Sequence, residues 1–78
     1  MSTKTVIHNG VKYIDRREFA NVHSIFNATR GGAYIAEHGI SGWHLYPANP
    51  TNLKHTGYCI GTAQTLAEIP EVLYAFEY

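Results

Sequence analysis

The dipeptide Asn9-Gly10 constrains this chain more than any other local feature. It stands between two β-prone runs, TVIH and VKYI. A type I′ turn needs positive φ at both central positions, and Asn-Gly is the pair that adopts them at least cost. The turn sets a register with His8 opposite Val11 and Val6 opposite Tyr13. Val6, His8, Val11 and Tyr13 then share one face, the candidate buried face. Thr5, Ile7, Lys12 and Ile14 share the other.

The next segment carries helix signals. Asp15 and Glu18 have the spacing of a capping box, and Ile14 and Phe19 that of a hydrophobic staple. Phe19, Val22 and Phe26, with Ile25 beside them, form an apolar stripe that Gly31-Gly32 would end. These signals predict a helix between Asp15 and Gly31. Arg30 in its last turn suits the helix dipole. Arg16 and Arg17 in its first turn oppose the dipole, which marks them for an acidic partner.

From Ala33 to Gly61 the chain reads as three short strands, AYIAEH, GWHLYP and GYCIG. Gly39 to Gly42 makes the first connection, and residues 47–56 form a long polar loop bracketed at its start by Pro47 and Pro50. In this sheet Trp43, Leu45, Ile35 and Ile60 are expected inside, and Tyr34, Tyr46 and His44 outside. Thr65 and Glu68 form a second capping box, followed by a stripe of Leu66, Ile69, Leu73 and Phe76. Pro70 either kinks this helix or ends it, leaving a final strand through Val72, Tyr74, Phe76 and Tyr78. The expected fold is therefore α+β: a β-hairpin, a helix, a three-stranded antiparallel sheet and a C-terminal helix.

A length of 78 residues with 45% apolar and 15% charged composition implies one small domain, residues 1–78, with a small core. The chain begins MSTKT without an apolar run of signal-peptide type, so the expected compartment is a reducing cytoplasm, with no membrane association. Residues 1–32 hold five bases against two acids, a net +3, and residues 61–78 hold three Glu and no base, a net −3. Such a dipolar distribution can orient the chain on a partner or on a second copy of itself.

Catalytic and cofactor signatures are missing. The five His have neither HxxxH nor HExxH spacing, and Cys59 has no Cys partner, so no metal site or cofactor is expected. Cys59 lies in the apolar run YCI, where a buried structural thiol is the natural reading. Glu37 with His38 or His44 is the one acid–base pairing the strands allow, and no GxSxG or CGxC context surrounds Ser24, Ser41 or Cys59. No enzyme is expected.

Three strands followed by a helix, with the turn Gly42-Trp43, is similar in outline to the arm-type DNA-binding domains of tyrosine recombinases. The resemblance spans Ala33 to Phe76 and implies DNA binding through a basic sheet. Here the stretch from 33 to 61 holds Lys54 as its single Lys or Arg, whereas phosphate neutralisation needs several. A neutral, aromatic-rich chain of this size better suits a non-enzymatic protein–protein interaction module. Stoichiometric inhibitors and accessory proteins of phages and mobile elements, CRISPR inhibitors among them, are of this kind. The expected partner-binding residues are Arg16, Arg17, Lys12, Arg30, Tyr34, His44 and Tyr46, since Arg and aromatics anchor interfaces. The expected partner is a protein. The alternatives are nucleic acid held by the N-terminal basic cluster and the sheet aromatics, a homodimer, and a His/Cys metal protein.

Overall fold

The Asn9-Gly10 turn forms as the sequence requires, with φ of 50° at Asn9 and 80° at Gly10. It joins β1 (Thr3–His8) to β2 (Val11–Phe19) in the expected register, His8 opposite Val11 and Val6 opposite Tyr13. The computed structural model describes residues 3–48 and 59–78. Within them the chain runs on as β3 (Val22–Asn27), β4 (Ala33–Gly39), β5 (Gly42–Pro47) and β6 (Gly61–Ala63). A 3-10 turn, Leu66–Glu68, then leads into α1 (Ile69–Glu77). All strands belong to one antiparallel six-stranded sheet whose spatial order is the chain order. The fold is mainly β.

That corrects the expected α+β arrangement of a hairpin, a helix and a three-stranded sheet. The segment from Asp15 to Gly31 is not a helix but the second half of β2, a tight turn at Ala20-Asn21, and β3. The capping-box and staple residues are strand residues. Asp15 faces Ile25, and Ile14 faces Phe26 across the ladder. Gly31, with φ of 98°, serves the β3–β4 turn rather than a helix end. Asn27 organises that turn: its Oδ1 accepts the N–H of Thr29 (3.0 Å) and of Arg30 (2.8 Å).

The strands expected at 33–38 and 42–47 are present as β4 and β5, joined through Gly42 at φ 111°. A Cβ on Gly42 would stand 2.6 Å from the Ala63 carbonyl, so its glycine also lets β6 close on β5. The expected strand GYCIG is displaced: Cys59 and Ile60 are irregular, although the Ile60 N–H donates to the Leu45 carbonyl at 2.8 Å, the strand begins at Gly61, and Gly57 and Tyr58 lie outside the described residues. The 47–56 loop falls outside them from residue 49 onward. In the C-terminal segment Pro70 occupies the first turn of α1, where its missing N–H has no helical partner to lose, so the helix neither kinks nor gives way to a strand. Thr65 makes no side-chain cap, but Glu68 reaches back to accept the Gln64 N–H at 2.8 Å.

Alternation assigns the two faces. Val11, Tyr13, Ile25, Tyr34, Ala36, Trp43, Leu45 and Ala63 join Ile69 and Leu73 of α1 in one buried cluster. Gly61 admits the helix, since a Cβ there would meet Val72 Cγ1 at 2.7 Å. The opposite face carries Ile14, Phe26, Ile35 and Tyr46, and among the described residues no helix or strand lies over it.

Candidate functional site

A helix of nine residues is about 14 Å long, whereas a six-stranded sheet is about 24 Å across. The helix therefore cannot roof the whole sheet face. It touches both edge strands, β1 and β6. Beside its N-terminal end it leaves a cleft of about 730 Å³ over β1, β2 and β3. Val6, Ile25, Ile69 and Pro70 form the apolar lining, Trp43 closes the far side, and Lys4, Asp15, Arg17 and His23 supply the polar groups.

The polar groups are brought together by sheet register. Lys4 faces Asp15 across β1–β2, and Arg17 faces His23 across β2–β3. His23 is buried, and its Nδ1–H donates to Asp15 Oδ1 at 2.6 Å. The ring packs edge-on against Trp43, with centroids 5.1 Å apart, and Trp43 also contacts the His38 ring at 4.9 Å. The Asp15 carboxylate is thus committed to His23. Lys4 and Arg17 are exposed and make no ion pair among the described residues. The cleft presents two cations, a single carboxylate already hydrogen-bonded to an imidazole, and an apolar floor, a positive balance that favours a ligand bearing an anionic group.

The expected partner-binding residues do not form one surface. Arg17 lines the cleft. Arg16, the next residue in the strand, points to the opposite face and pairs with Glu18 at 3.4 Å. Lys12 is exposed on that same opposite face. Arg30 does serve a helix C-terminus, but that of α1: its Nη1 donates to the Glu77 carbonyl at 2.7 Å and its guanidinium lies 5.1 Å from the Tyr78 ring centroid. Tyr34, expected outside, is 7% exposed and belongs to the core. Tyr46 and His44 are half-buried on the face away from α1. Trp43, Leu45 and Ile35 are buried as expected, and Ile60 is half-buried against the core.

The acidic C-terminal segment and the basic N-terminal half meet within the molecule. The Glu77 carboxylate accepts from Asn27 Nδ2 at 2.9 Å and from the Tyr13 hydroxyl at 3.5 Å. Burial, reinforced by the Glu77 charge, pushes the Tyr13 hydroxyl up to about 12. Burial and a hydrogen bond to Glu77 raise Tyr34 as well. Both phenols are thus neutral donors that hold the helix end.

A second polar group lies on the opposite face. His44 Nε2 is 3.2 Å from Ser41 Oγ, and His44 Nδ1 is 3.8 Å from Cys59 Sγ. Cys59 is exposed and its thiol donates to the Gly61 carbonyl at 3.1 Å, which corrects the expectation of a buried thiol. Among the described residues no three of His, Cys, Asp and Glu come together as a metal site would require. No helix among them is long and apolar enough to cross a membrane. Comparison with family models, curated proteins and solved structures finds no match to this chain.

Sequence reasoning missed Lys4, Asp15, His23 and Trp43 as one site. Lys4 carries no local signal, and the capping-box spacing points Asp15 to a helix cap. The usable signal was alternation along DRREF and VHSIFN, which places Asp15 and Arg17 on one face and His23 and Ile25 on one face.

Proposed function

We propose that this protein is a small non-enzymatic protein–protein interaction module that holds an acidic segment of its partner in the cleft between β1–β3 and α1. The observation that carries the reading is the pair of exposed cations, Lys4 and Arg17, without ion-pair partners among the described residues and flanking an Asp15 already bound to His23. An apolar floor with Trp43 at one side suits the methylene stems of the acidic side chains, and aromatics and Arg dominate binding energy in interfaces.

Binding is favoured over catalysis by the lining. Its hydroxyls among the described residues are Thr5 and Tyr13, and Tyr13 is a neutral phenol engaged with Glu77. A protein partner is favoured over nucleic acid by the scatter of the bases. Arg16 and Lys12 lie on the face opposite Arg17, and Arg30 is occupied at the end of α1. A phosphate backbone needs a continuous basic track.

The test is a titration of isotopically labelled protein with the blocked peptide acetyl-Val-Glu-Val-Glu-Val-Glu-amide and with its Lys counterpart. The acidic peptide is expected to shift the resonances of Lys4, Arg17 and His23 and to bind at least about tenfold more tightly than the basic one. The variant Lys4→Glu/Arg17→Glu is expected to reverse that preference. Equal affinity for the two peptides, or no binding of either, overturns the reading.

A further inference from the structure

The cleft has an unusual border. Lys4, Thr5, Val6 and Ile7 all line it, four consecutive residues of β1 rather than every second one. Side chains of a strand alternate between faces, so Thr5 and Ile7 meet the cavity through backbone atoms or where it opens around the strand edge. β1 is that edge: it pairs with β2 on one side and, among the described residues, with no strand on the other. Its residues Thr3, Lys4, Thr5 and Ile7 are exposed.

The hairpin geometry identifies which backbone groups are on offer. In a two-residue hairpin the residues flanking the turn exchange both ladder hydrogen bonds. His8 and Val11 flank Asn9-Gly10, so His8, Val6 and Lys4 bond to β2. The N–H and C=O groups of Thr3, Thr5 and Ile7 therefore point outward, away from β2. A strand laid against them would place alternate side chains over Lys4 and the cleft, and the others beside Ile7, which is 64% exposed.

We infer that the acidic segment binds as an added strand: an extended partner segment pairs with the outer edge of β1, its acidic side chains directed to Lys4 and Arg17 and its apolar side chains to Ile7. This rests on the cleft reading above and adds the backbone pairing to it. Main-chain bonds would supply affinity and the cleft would supply selection, as in other cases of strand addition. Lys4 is suited to the task, because a charge on an edge strand discourages indiscriminate pairing yet accepts a segment of opposite charge.

The experiment uses the full chain and two forms of acetyl-Val-Glu-Val-Glu-Val-Glu-amide, one unmodified and one N-methylated at alternate residues along its pairing edge. The methylated peptide keeps every charge and side chain but loses the donors that would pair with β1. It is expected to bind at least about tenfold more weakly, and the unmodified peptide is expected to slow hydrogen exchange at the Thr5 and Ile7 amides. Thr5→Pro, which removes an outward N–H without touching the bonds to β2, is expected to weaken the unmodified peptide to the same degree. If both peptides bind equally and Lys4→Glu/Arg17→Glu abolishes both, strand addition is overturned and the cleft reading stands. If the charge reversal leaves binding unchanged, the cleft reading itself falls. Thr5 and Ile7 amides already protected in the free protein, with the Ile7 protection lost in Thr5→Pro, would assign the edge to a second copy of the chain and overturn the proposal.

Discussion

Asn27 Nδ2 donates to Glu77 Oε1 at 2.9 Å, tying the third strand to the last turn of the helix. The Asn27 side chain is buried and fully engaged, since its Oδ1 also accepts the N–H groups of Thr29 and Arg30. One side chain thus shapes the β3–β4 turn and docks α1. Gly32 belongs to the same junction: a Cβ there would lie 2.9 Å from the Tyr34 hydroxyl and 3.0 Å from Glu77 Oε2.

Asn27→Ala is expected to lower stability by about 2 kcal/mol, since it removes several hydrogen bonds at once and leaves a part-buried carboxylate short of a donor. Urea denaturation of wild type and variant measures it. Glu77→Gln, which keeps an acceptor at the same place, is expected to cost less than Asn27→Ala. The reverse order would show that the Glu77 charge at the helix end, rather than the turn held by Asn27, dominates the junction.

The same junction gives the protein an alkaline limit. The Tyr13 hydroxyl is raised from 10.0 to about 12 by burial and by the Glu77 charge, with Tyr34 shifted in the same direction. A group raised on folding contributes stability that is complete below its unfolded value and lost as pH climbs through its folded value. Stability is therefore expected to fall between about pH 10 and pH 12, by roughly 2–3 kcal/mol for Tyr13. Urea midpoints at pH 9 and pH 11 test this, and Tyr13→Phe is expected to flatten the difference.

Asp15 and His23 provide a third expectation. At 2.6 Å in a part-buried setting, their bond is of the charge-assisted kind. Asp15→Ala is expected to cost about 2 kcal/mol, and a double-mutant cycle with His23→Ala to show coupling of about 1–2 kcal/mol. A helix-capping Asp15 would show no coupling to His23, so the cycle separates the strand from the helix that the local sequence suggests.

The misplaced helix shows where local reading stops. The hairpin at Asn9-Gly10 and the strands β4 and β5 were legible, because turn glycines and alternating aromatics act within a few residues of one another. β3 was not, because its buried face is His23, Ile25 and Asn27, two polar residues around one apolar one. Those polar groups are satisfied by Asp15 on the neighbouring strand and by Glu77 at the far end of the chain, neither visible in a local window. With the buried face disguised, Phe19, Val22 and Phe26 were left to suggest a helical stripe. In the sheet Phe19 is exposed, and Phe26 faces away from the helix. The turn between β2 and β3 is Ala20-Asn21, without the glycine that announces the others. The cleft was illegible for the same reason, since its residues come from strands that the expected helix had replaced.

Arg16 and Arg17 give the sharpest functional expectation. As first-turn helix residues they would have formed one basic patch, and reversing either would weaken a partner about equally. As consecutive strand residues they face opposite sides of the sheet. Arg17 opens into the cleft beside His23, with no ion pair among the described residues, whereas Arg16 is engaged with Glu18 at 3.4 Å. Arg17→Glu places a carboxylate against the incoming acidic group and is expected to weaken the Val-Glu peptide at least about tenfold, or 1.4 kcal/mol. Arg16→Glu breaks a pair whose Glu18 side is part-buried and sets two carboxylates side by side, but on the opposite face, and is expected to leave peptide affinity within about twofold. Isothermal titration of the single variants against the same peptide makes the comparison, with urea midpoints to confirm that both remain folded. Equal losses from the two substitutions would mean that long-range charge, rather than the cleft, governs binding. A larger loss from Arg16→Glu would move the binding surface to the opposite face, beside Ile14, Phe26 and Tyr46.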